Sequence, residues 1–428
     1  MKSLRLLLIA DSNNPEWVSV PLVSHNHSTA LSRIHEVTLL THGDNRAGIE
    51  SRKNSYKQVR YITMPWLDKL EYWAFNHIFK RDFGSQALTL FRVPIYLMFE
   101  WRAWRAMRKE LAAGAFDVVL RLTPVSPAMP SFLSGRLKRL GVPFVVGPIN
   151  GGLPWPPGFQ QASRDKEWIG KFRKLYRFLP YMASTYRDAK AIMVGSTQTW
   201  KEMQPQAERV FFVPENGIHA DSVKVREQHN ADKPLELIFV GRLVALKACD
   251  LALEAAAPLI KQGRARFTVI GAGKERADLE ALVRKLGIES SVEFTGELKH
   301  DQAMAAFARS DALVFPSIRD FGGGVVFEAL ALGCVPLVAD YGGPADIVTD
   351  DVGFRIPLTD LDKTREGFTA ALEKLETDRA LLRRMSEAGQ VFARDSLSWD
   401  GKVTQTTQVL EWACGKGEKP HLVPPKFA

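Results

Sequence analysis

Short apolar runs, separated by stretches long enough for a crossover helix, recur along most of this chain, and that alternation decides its fold class. In the first half the runs are Leu4–Ala10, Val37–Thr41, Val59–Ile62, Val118–Leu120, Phe144–Gly147 and Ala191–Val194. In the second they are Leu237–Val240, Arg266–Ile270, Ser291–Phe294, Ala312–Phe315 and Val335–Ala339. Runs this short suit strands of a parallel sheet covered on both faces. The pattern predicts an α/β protein of two doubly wound, Rossmann-like domains, and 428 residues exceed one ordinary core. We expect a first domain over 1–205 and a second over 206–395, joined around Met203–Pro214. A helical segment over 396–414 and a tail over 415–428 without regular structure follow. Ligands of such sheets sit at the carboxyl ends of the strands, here expected in the cleft between the domains.

Composition narrows the function classes. Apolar residues make up 46% and charged residues 25% of the chain, the balance of an ordinary globular protein. No run reaches the ~18 apolar residues that a membrane helix needs, and Leu4–Ala10 lacks the layout of a cleavable signal. Cys249, Cys334 and Cys414 show neither disulfide nor metal spacing, which reads as cytoplasmic. The net charge of +9 favours anionic partners, either phosphate-bearing substrates or a membrane surface. Nucleic acid is not expected, because no compact Lys/Arg run or nucleic-acid module is present.

The chemistry concentrates in Asp320-Phe-Gly-Gly-Gly-Val-Val-Phe-Glu328, which reads as a loop between a strand and a helix. Gly322, Gly323 and Gly324 let the backbone approach a ligand closely, and the first helical amides, with Val325, are donors suited to an anion. Upstream, Gly241-Arg242 and Lys247 supply two cations: a guanidinium that forks onto phosphate oxygens and an ammonium point charge. Carboxylates such as Asp320 and Glu328 accept hydrogen bonds from vicinal hydroxyls. The combination points to a nucleotide diphosphate carrying a sugar. The competing reading is a surface loop with a solvated Asp and a Glu paired to a nearby base.

With these residues in view, the chain resembles the retaining glycosyltransferases of family four, the group 1 glycosyl transferases of GT-B fold. Six further stretches carry the likeness: Phe239-Val-Gly-Arg-Leu with Lys247, Val269-Ile-Gly-Ala-Gly273, Phe294-Thr-Gly296, Asp311-Ala-Leu-Val-Phe-Pro-Ser317, Asp340-Tyr-Gly-Gly-Pro344 and Gly353-Phe-Arg. The match is strong over residues 205–395 and loose before them. The resemblance implies transfer of a hexosyl unit from a nucleotide diphosphate sugar to an acceptor hydroxyl with retention, in glycolipid or surface polysaccharide synthesis, with no metal and no cofactor beyond the donor. It implies that Arg242 and Lys247 stabilise the leaving diphosphate, aided by amides of Gly323 and Gly324. Asp320 would hold sugar hydroxyls, Glu328 the ribose, and Gly271, Gly273, Leu298, Phe321 and Gly322 would complete the donor site. It also implies that the segment after Ser398 crosses back onto the first domain. Asp320 stands where many relatives carry Glu, so the donor sugar does not transfer by analogy. Two alternatives remain: a nucleotide-sugar epimerase on the same fold, and a silent nucleotide-sugar-binding subunit.

The first half departs from the family pattern. Its loop Asn13–Pro21 lacks the usual glycine pair, and no histidine follows Asp117–Leu120. Asn13, Glu16, Arg121, Thr123, Asn150 and Gly151 are the acceptor or cleft candidates, for a saccharide or lipid-linked acceptor; ordinary loop chemistry is the alternative for each. His25 and His27, two apart on a helical pattern, do not share a face, which argues against a metal site. Asp360-Leu-Asp362 reads as a loop or helix cap. Residues 66–109 and 166–187 mix Trp, Phe and bases, with an apolar stripe at 97, 98, 101, 104 and 111. That stripe faces either the core or an anionic membrane interface.

Overall fold

A computed structural model describes residues 3–65, 69, 86–151, 153, 154, 156, 178–223 and 233–427. The chain divides into two compact units. The first holds the described parts of 1–151, 178–215 and 402–423; the second holds 216–401, 424–427 and the few described residues from 153 to 156.

The first unit is built on seven parallel strands: β1 (Arg5–Ala10), β2 (Glu36–His42), β3 (Gln58–Ile62), β4 (Val118–Arg121), β5 (Phe144–Ile149), β6 (Ala191–Val194) and β7 (Val210–Phe212). Their order is β3-β2-β1-β4-β5-β6-β7. Leu6, Leu8, Val118, Val119, Leu120, Val145 and Ile192 are fully buried, as strands covered on both faces require. Strand order reverses between β1 and β4, which puts a topological switch point beside Asp11 and Arg121.

The second unit repeats the scheme with six parallel strands: β8 (Leu235–Val240), β9 (Ala265–Ile270), β10 (Val292–Gly296), β11 (Ala312–Phe315), β12 (Val335–Ala339) and β13 (Phe354–Ile356), ordered β10-β9-β8-β11-β12-β13. Its switch point lies between β8 and β11, paired through Ala312–Leu237 and Leu313–Ile238. Helix Cys249–Lys261 packs on this sheet through a row of small residues, Ala252, Ala255 and Ala256, all fully buried.

Two strands, β7 and β13, are absent from the sequence reading; at three residues each they carry no periodicity. β7 pairs with β6 through Ile192–Val210, so the first unit runs to Glu215, beyond the expected boundary at 205. The C-terminal helix Trp399–Ala413 divides likewise: from Lys402 onward it belongs to the first unit. There Thr406 and Thr407 bond His27 and His35, and Trp412 packs edge-on to Phe211 at 5.1 Å. The tail is docked: Phe212 N–H donates to Leu422 O, and Lys416 lies 3.3 Å from Asp117.

The aromatic, basic segments are corrected in part. In helix Gln86–Ala112 the buried stripe is Tyr96, Phe99, Ala103, Met107 and Leu111; of the predicted stripe Leu111 belongs to it, Leu97, Met98 and Trp104 pack half-buried against the same core, and Trp101 alone faces out. Trp101 is 41% exposed with the Arg105 guanidinium over it, and Trp104 is covered by Arg136. Trp73, Phe79, Lys80, Arg81, Phe83, Trp168, Lys171, Phe172, Arg173, Lys174, Tyr176 and Arg177 lie outside the described residues, as does Gly152. Among the described residues no helix is long and apolar enough to cross a membrane.

Candidate donor site in the second unit

Four loops leave the carboxyl ends of β8, β9, β11 and β12, and each brings predicted residues to that edge. After β8 the chain passes Gly241 and Arg242 and turns through Ala245–Lys247 into helix Cys249–Lys261. After β11 it passes Ser317 and Asp320 and enters helix Gly324–Ala331. The two loops are laced together. Ile318 N–H donates to Leu246 O at 2.9 Å, Ser317 Oγ donates to the same oxygen at 3.3 Å, and Lys247 Nζ forms an ion pair with Asp320. Lys247 also lies over the Phe315 ring at 5.0 Å. Both members of the pair are largely enclosed, with 14% and 17% of their side chains exposed.

The glycine loop is held from three sides. Asp320 Oδ1 accepts from Gly323 N–H at 3.1 Å, Asp320 O accepts from Gly343 N–H at 3.0 Å, and Asn216 Nδ2 donates to Gly322 O at 2.7 Å. Gly323 caps the helix with φ of 54°, and a Cβ there would stand 3.0 Å from Pro344 N. Gly324 and Val325 head the helix, so their N–H groups have no acceptor within it. Phe321 is exposed, stacked against the Arg319 guanidinium at 5.8 Å.

On the other side of the switch point, Gly271 has φ of 136°, and a Cβ there would fall 1.9 Å from Gly241 O. Gly273 abuts Leu243 O in the same way, at 2.1 Å. These glycines are therefore required for the β8 and β9 loops to lie against each other. Leu298, half-buried, packs on the core after β10. Arg242 is exposed and makes no ion pair with the described residues.

Glu328 sits on helix Gly324–Ala331 with its side chain 33% exposed, and Oε1 lies 4.0 Å from His300 Nδ1. Burial raises its pKa above the ordinary carboxylate range, partly opposed by His300. The structure thus joins Lys247, Asp320 and the glycine loop directly, and places Arg242, Gly271, Gly273 and Leu298 at the same sheet edge. It pairs Glu328 with His300. Asn216 and His300 escaped the sequence reading: Asn216 read as part of a polar junction, and His300 belongs to no motif.

Candidates in the first unit fare differently. Asn13 is interior, its Nδ2 donating to Ser24 and Ser28 and its Oδ1 facing His25 Nδ1 at 3.2 Å. Asn13, His25 and His27 therefore serve the packing of helix Val20–Ser32. Arg121 is 1% exposed and donates to Met129 O. Thr123 is buried, its hydroxyl bonded to the Ser12 backbone. Asn150 is buried with its N–H on Val125 O, and Gly151 O accepts from Thr199. Glu16 alone of the six is exposed, beside Ser51 Oγ at 3.5 Å. Asp360 caps helix Leu361–Thr377 through Lys363 N–H, while Asp362 pairs with Arg365. Among the described residues no group of three or more His, Cys, Asp or Glu is placed to hold a metal.

Comparison with known proteins bears on the family likeness and the fold. Residues 221–392 match the family model described as Glycosyl transferases group 1. An alpha-D-kanosaminyltransferase of Streptomyces kanamyceticus is 30% identical over 216 residues, 47% of this chain and 55% of the relative. The putative colanic acid biosynthesis glycosyltransferase WcaL of Escherichia coli is 30% identical over 154 residues, 34% of this chain and 37% of the relative. The chain thus spans about half the length, or less, of these curated relatives. HepE of Anabaena, solved in complex with UDP, shares the fold at a TM-score of 0.59 and 16% identity, over 96% of this chain and 100% of that one. Over residues 221–392 the chain is thus similar to the group 1 glycosyl transferases, and it has the GT-B fold.

Proposed function

We propose that this protein transfers a hexosyl unit from a nucleotide diphosphate sugar to an acceptor hydroxyl, retaining the anomeric configuration and using no metal ion. One observation carries the reading: the Lys247–Asp320 pair, clamped beside the glycine loop at the switch point of the second sheet. A diphosphate at the head of helix Gly324–Ala331 would meet unpaired amides, with Lys247 and Arg242 as counter-charges. Asp320 keeps one oxygen on Gly323 N–H and shares Lys247, so it would accept sugar hydroxyls without a bare charge. Glu328 would accept the ribose hydroxyls.

In the reaction, the bond between the anomeric carbon and the diphosphate oxygen breaks, and its electron pair leaves with the nucleotide diphosphate. A bond forms between that carbon and the acceptor oxygen, whose proton passes to the leaving phosphate. Charge grows on the diphosphate in the transition state, where fixed cations and amides act most strongly; these groups supply the role a metal would otherwise fill. The named relatives, a kanosaminyltransferase and a colanic acid glycosyltransferase, support saccharide chemistry. The net charge of +9 and the exposed Trp101–Arg105 stack support contact with an anionic membrane surface and a saccharide or lipid-linked acceptor. The test is the anomeric configuration of the product by NMR, in buffer with and without chelator. A retained configuration at unchanged rate is expected; inversion, or loss of activity in chelator, would overturn those two features.

A further inference from the structure

Glu328 lies within helix Gly324–Ala331, the element that the glycine loop leads into. Its side chain is mostly enclosed, and burial makes the ionised form costly, which raises its pKa above the ordinary carboxylate range. Once protonated, a carboxyl carries an O–H on one oxygen and no longer accepts freely from two hydroxyls at once. Reading a vicinal diol through Glu328 therefore depends on whatever keeps this carboxylate charged.

His300 is placed to do so. It opens helix His300–Arg309 shortly after β10, and the turn that presents it is fixed by its neighbours. Lys299 N–H donates to Gln302 Oε1 at 3.1 Å, and Ala303 N–H donates to Lys299 O at 3.0 Å. This helix packs on helix Gly324–Ala331 and brings His300 Nδ1 to 4.0 Å from Glu328 Oε1. The other elements against helix Gly324–Ala331 are the uncharged strand β12 and the segments Gly342–Ile347, Arg379–Phe392 and Ala393–Leu397. There Arg379 pairs with Glu376 and Arg394 with Asp395. Among the described residues, the charge that bears on Glu328 is that of His300.

The separation of the two groups matters. At 4.0 Å they stand beyond hydrogen-bond distance, so His300 supplies charge without occupying a lone pair, and both Glu328 oxygens stay able to accept. Lys247 and Asp320 are the contrast, a pair in direct contact with the second Asp320 oxygen on Gly323 N–H. The His300 side chain is 67% exposed, so its pairing adds little to folding and a substitution there leaves the core intact.

We propose that His300 is a positioning residue for nucleotide recognition, its imidazolium holding the Glu328 carboxylate ready for the ribose diol without occupying it. The proposal rests on the assignment of Glu328 to the ribose in the transferase reading. Its test is titration calorimetry of UDP, GDP and ADP between about pH 5 and 8 on the full chain and on its His300→Gln and His300→Lys variants. The 2′,3′-dideoxy form of whichever nucleotide binds is measured alongside. Affinity should fall on acidification at a pH higher by about half a unit or more in His300→Gln, which is about threefold weaker binding on that limb. His300→Lys, which restores a cation, should return the limb to its wild-type position or below it. The dideoxy nucleotide, lacking the diol, should bind all three proteins alike. Coincident pH profiles in wild type and His300→Gln would overturn the proposal. So would a loss that lysine fails to restore, or one shared by the dideoxy nucleotide, either of which marks a structural effect. Absence of binding by all three nucleotides would instead overturn the donor reading itself, and this proposal with it.

Discussion

Lys247 and Asp320 stand 73 residues apart in sequence and meet as an ion pair between the loops that follow neighbouring strands β8 and β11. The sequence assigns the ammonium to phosphate and the carboxylate to sugar hydroxyls; the fold makes them partners first. Each therefore positions the other while remaining able to engage a ligand, and the two should not behave as independent groups.

Lys247→Ala and Asp320→Ala should each slow turnover by tenfold or more, equivalent to about 1.4 kcal/mol in the barrier. The double variant should lose less than the sum of the two, because either single change already breaks the pair. Lys247→Ala should also lower thermal stability, since it leaves an enclosed carboxylate without its cation. Steady-state rates and melting curves of the three variants check this.

Glu328 gives a pH signature. Its pKa lies above the ordinary carboxylate range through burial, so acidification protonates it earlier than a solvent-exposed glutamate and removes its capacity to accept two hydroxyls. Nucleoside diphosphate affinity should fall as pH drops through that raised pKa. Glu328→Gln should bind at least tenfold more weakly at neutral pH and lose this component of the dependence. Titration calorimetry across pH measures both.

Two glycines with positive φ separate loop packing from simple backbone strain. A methyl at Gly271 would collide with Gly241 O at 1.9 Å, whereas a methyl at Gly263, φ 71°, has nothing within 4 Å. Gly263→Ala should cost only the left-handed penalty, about 1–2 kcal/mol, and leave nucleotide affinity intact. Gly271→Ala should displace the loop that carries Arg242 and abolish binding. Melting curves with binding isotherms distinguish the two outcomes.

His27 is buried against Thr406 at 3.0 Å, and desolvation lowers its pKa to about 3. Between its unfolded value of ~6.5 and that value, the unfolded chain binds a proton that the folded chain refuses. Stability from this group is complete above pH ~6.5 and is lost as pH falls, by up to about 1.4 kcal/mol per pH unit. Glu100, raised by burial to about 7, acts in the opposite sense in wild type and variant alike. His27→Gln should therefore show a shallower loss of stability between pH 6.5 and 4 in denaturant titrations.

The fold was legible because buried parallel strands are apolar runs, and eleven of them stand out at nearly their observed bounds. β7 and β13 did not, since three residues leave no pattern to read. The close packing of the second unit's loops was legible because Gly271, Gly273 and Gly323 meet a backbone requirement that no other residue satisfies as well. Their spacing from Arg242, Lys247, Asp320 and Glu328 is local to each loop. The first unit was less legible, because its polar residues close on one another across long separations. Asn13 reads as a loop acceptor but bonds Ser24, His25 and Ser28; Asp11, at the end of its strand, opens onto a cavity instead. In helix Gln86–Ala112 the periodicity placed Leu97, Met98, Trp104 and Leu111 toward the core, where they pack, but also Trp101, which lies outside beneath Arg105.

The most direct test of the account is nucleotide release from UDP-, GDP- and ADP-sugars by the purified chain, with and without extracted cell lipids and saccharides. The account predicts acceptor-stimulated release from one donor class, reduced at least tenfold by Lys247→Ala and by Arg242→Ala in folded protein. Release that is indifferent to both substitutions would contradict the site. Binding of a nucleotide sugar with no release under any acceptor condition would contradict the transferase assignment.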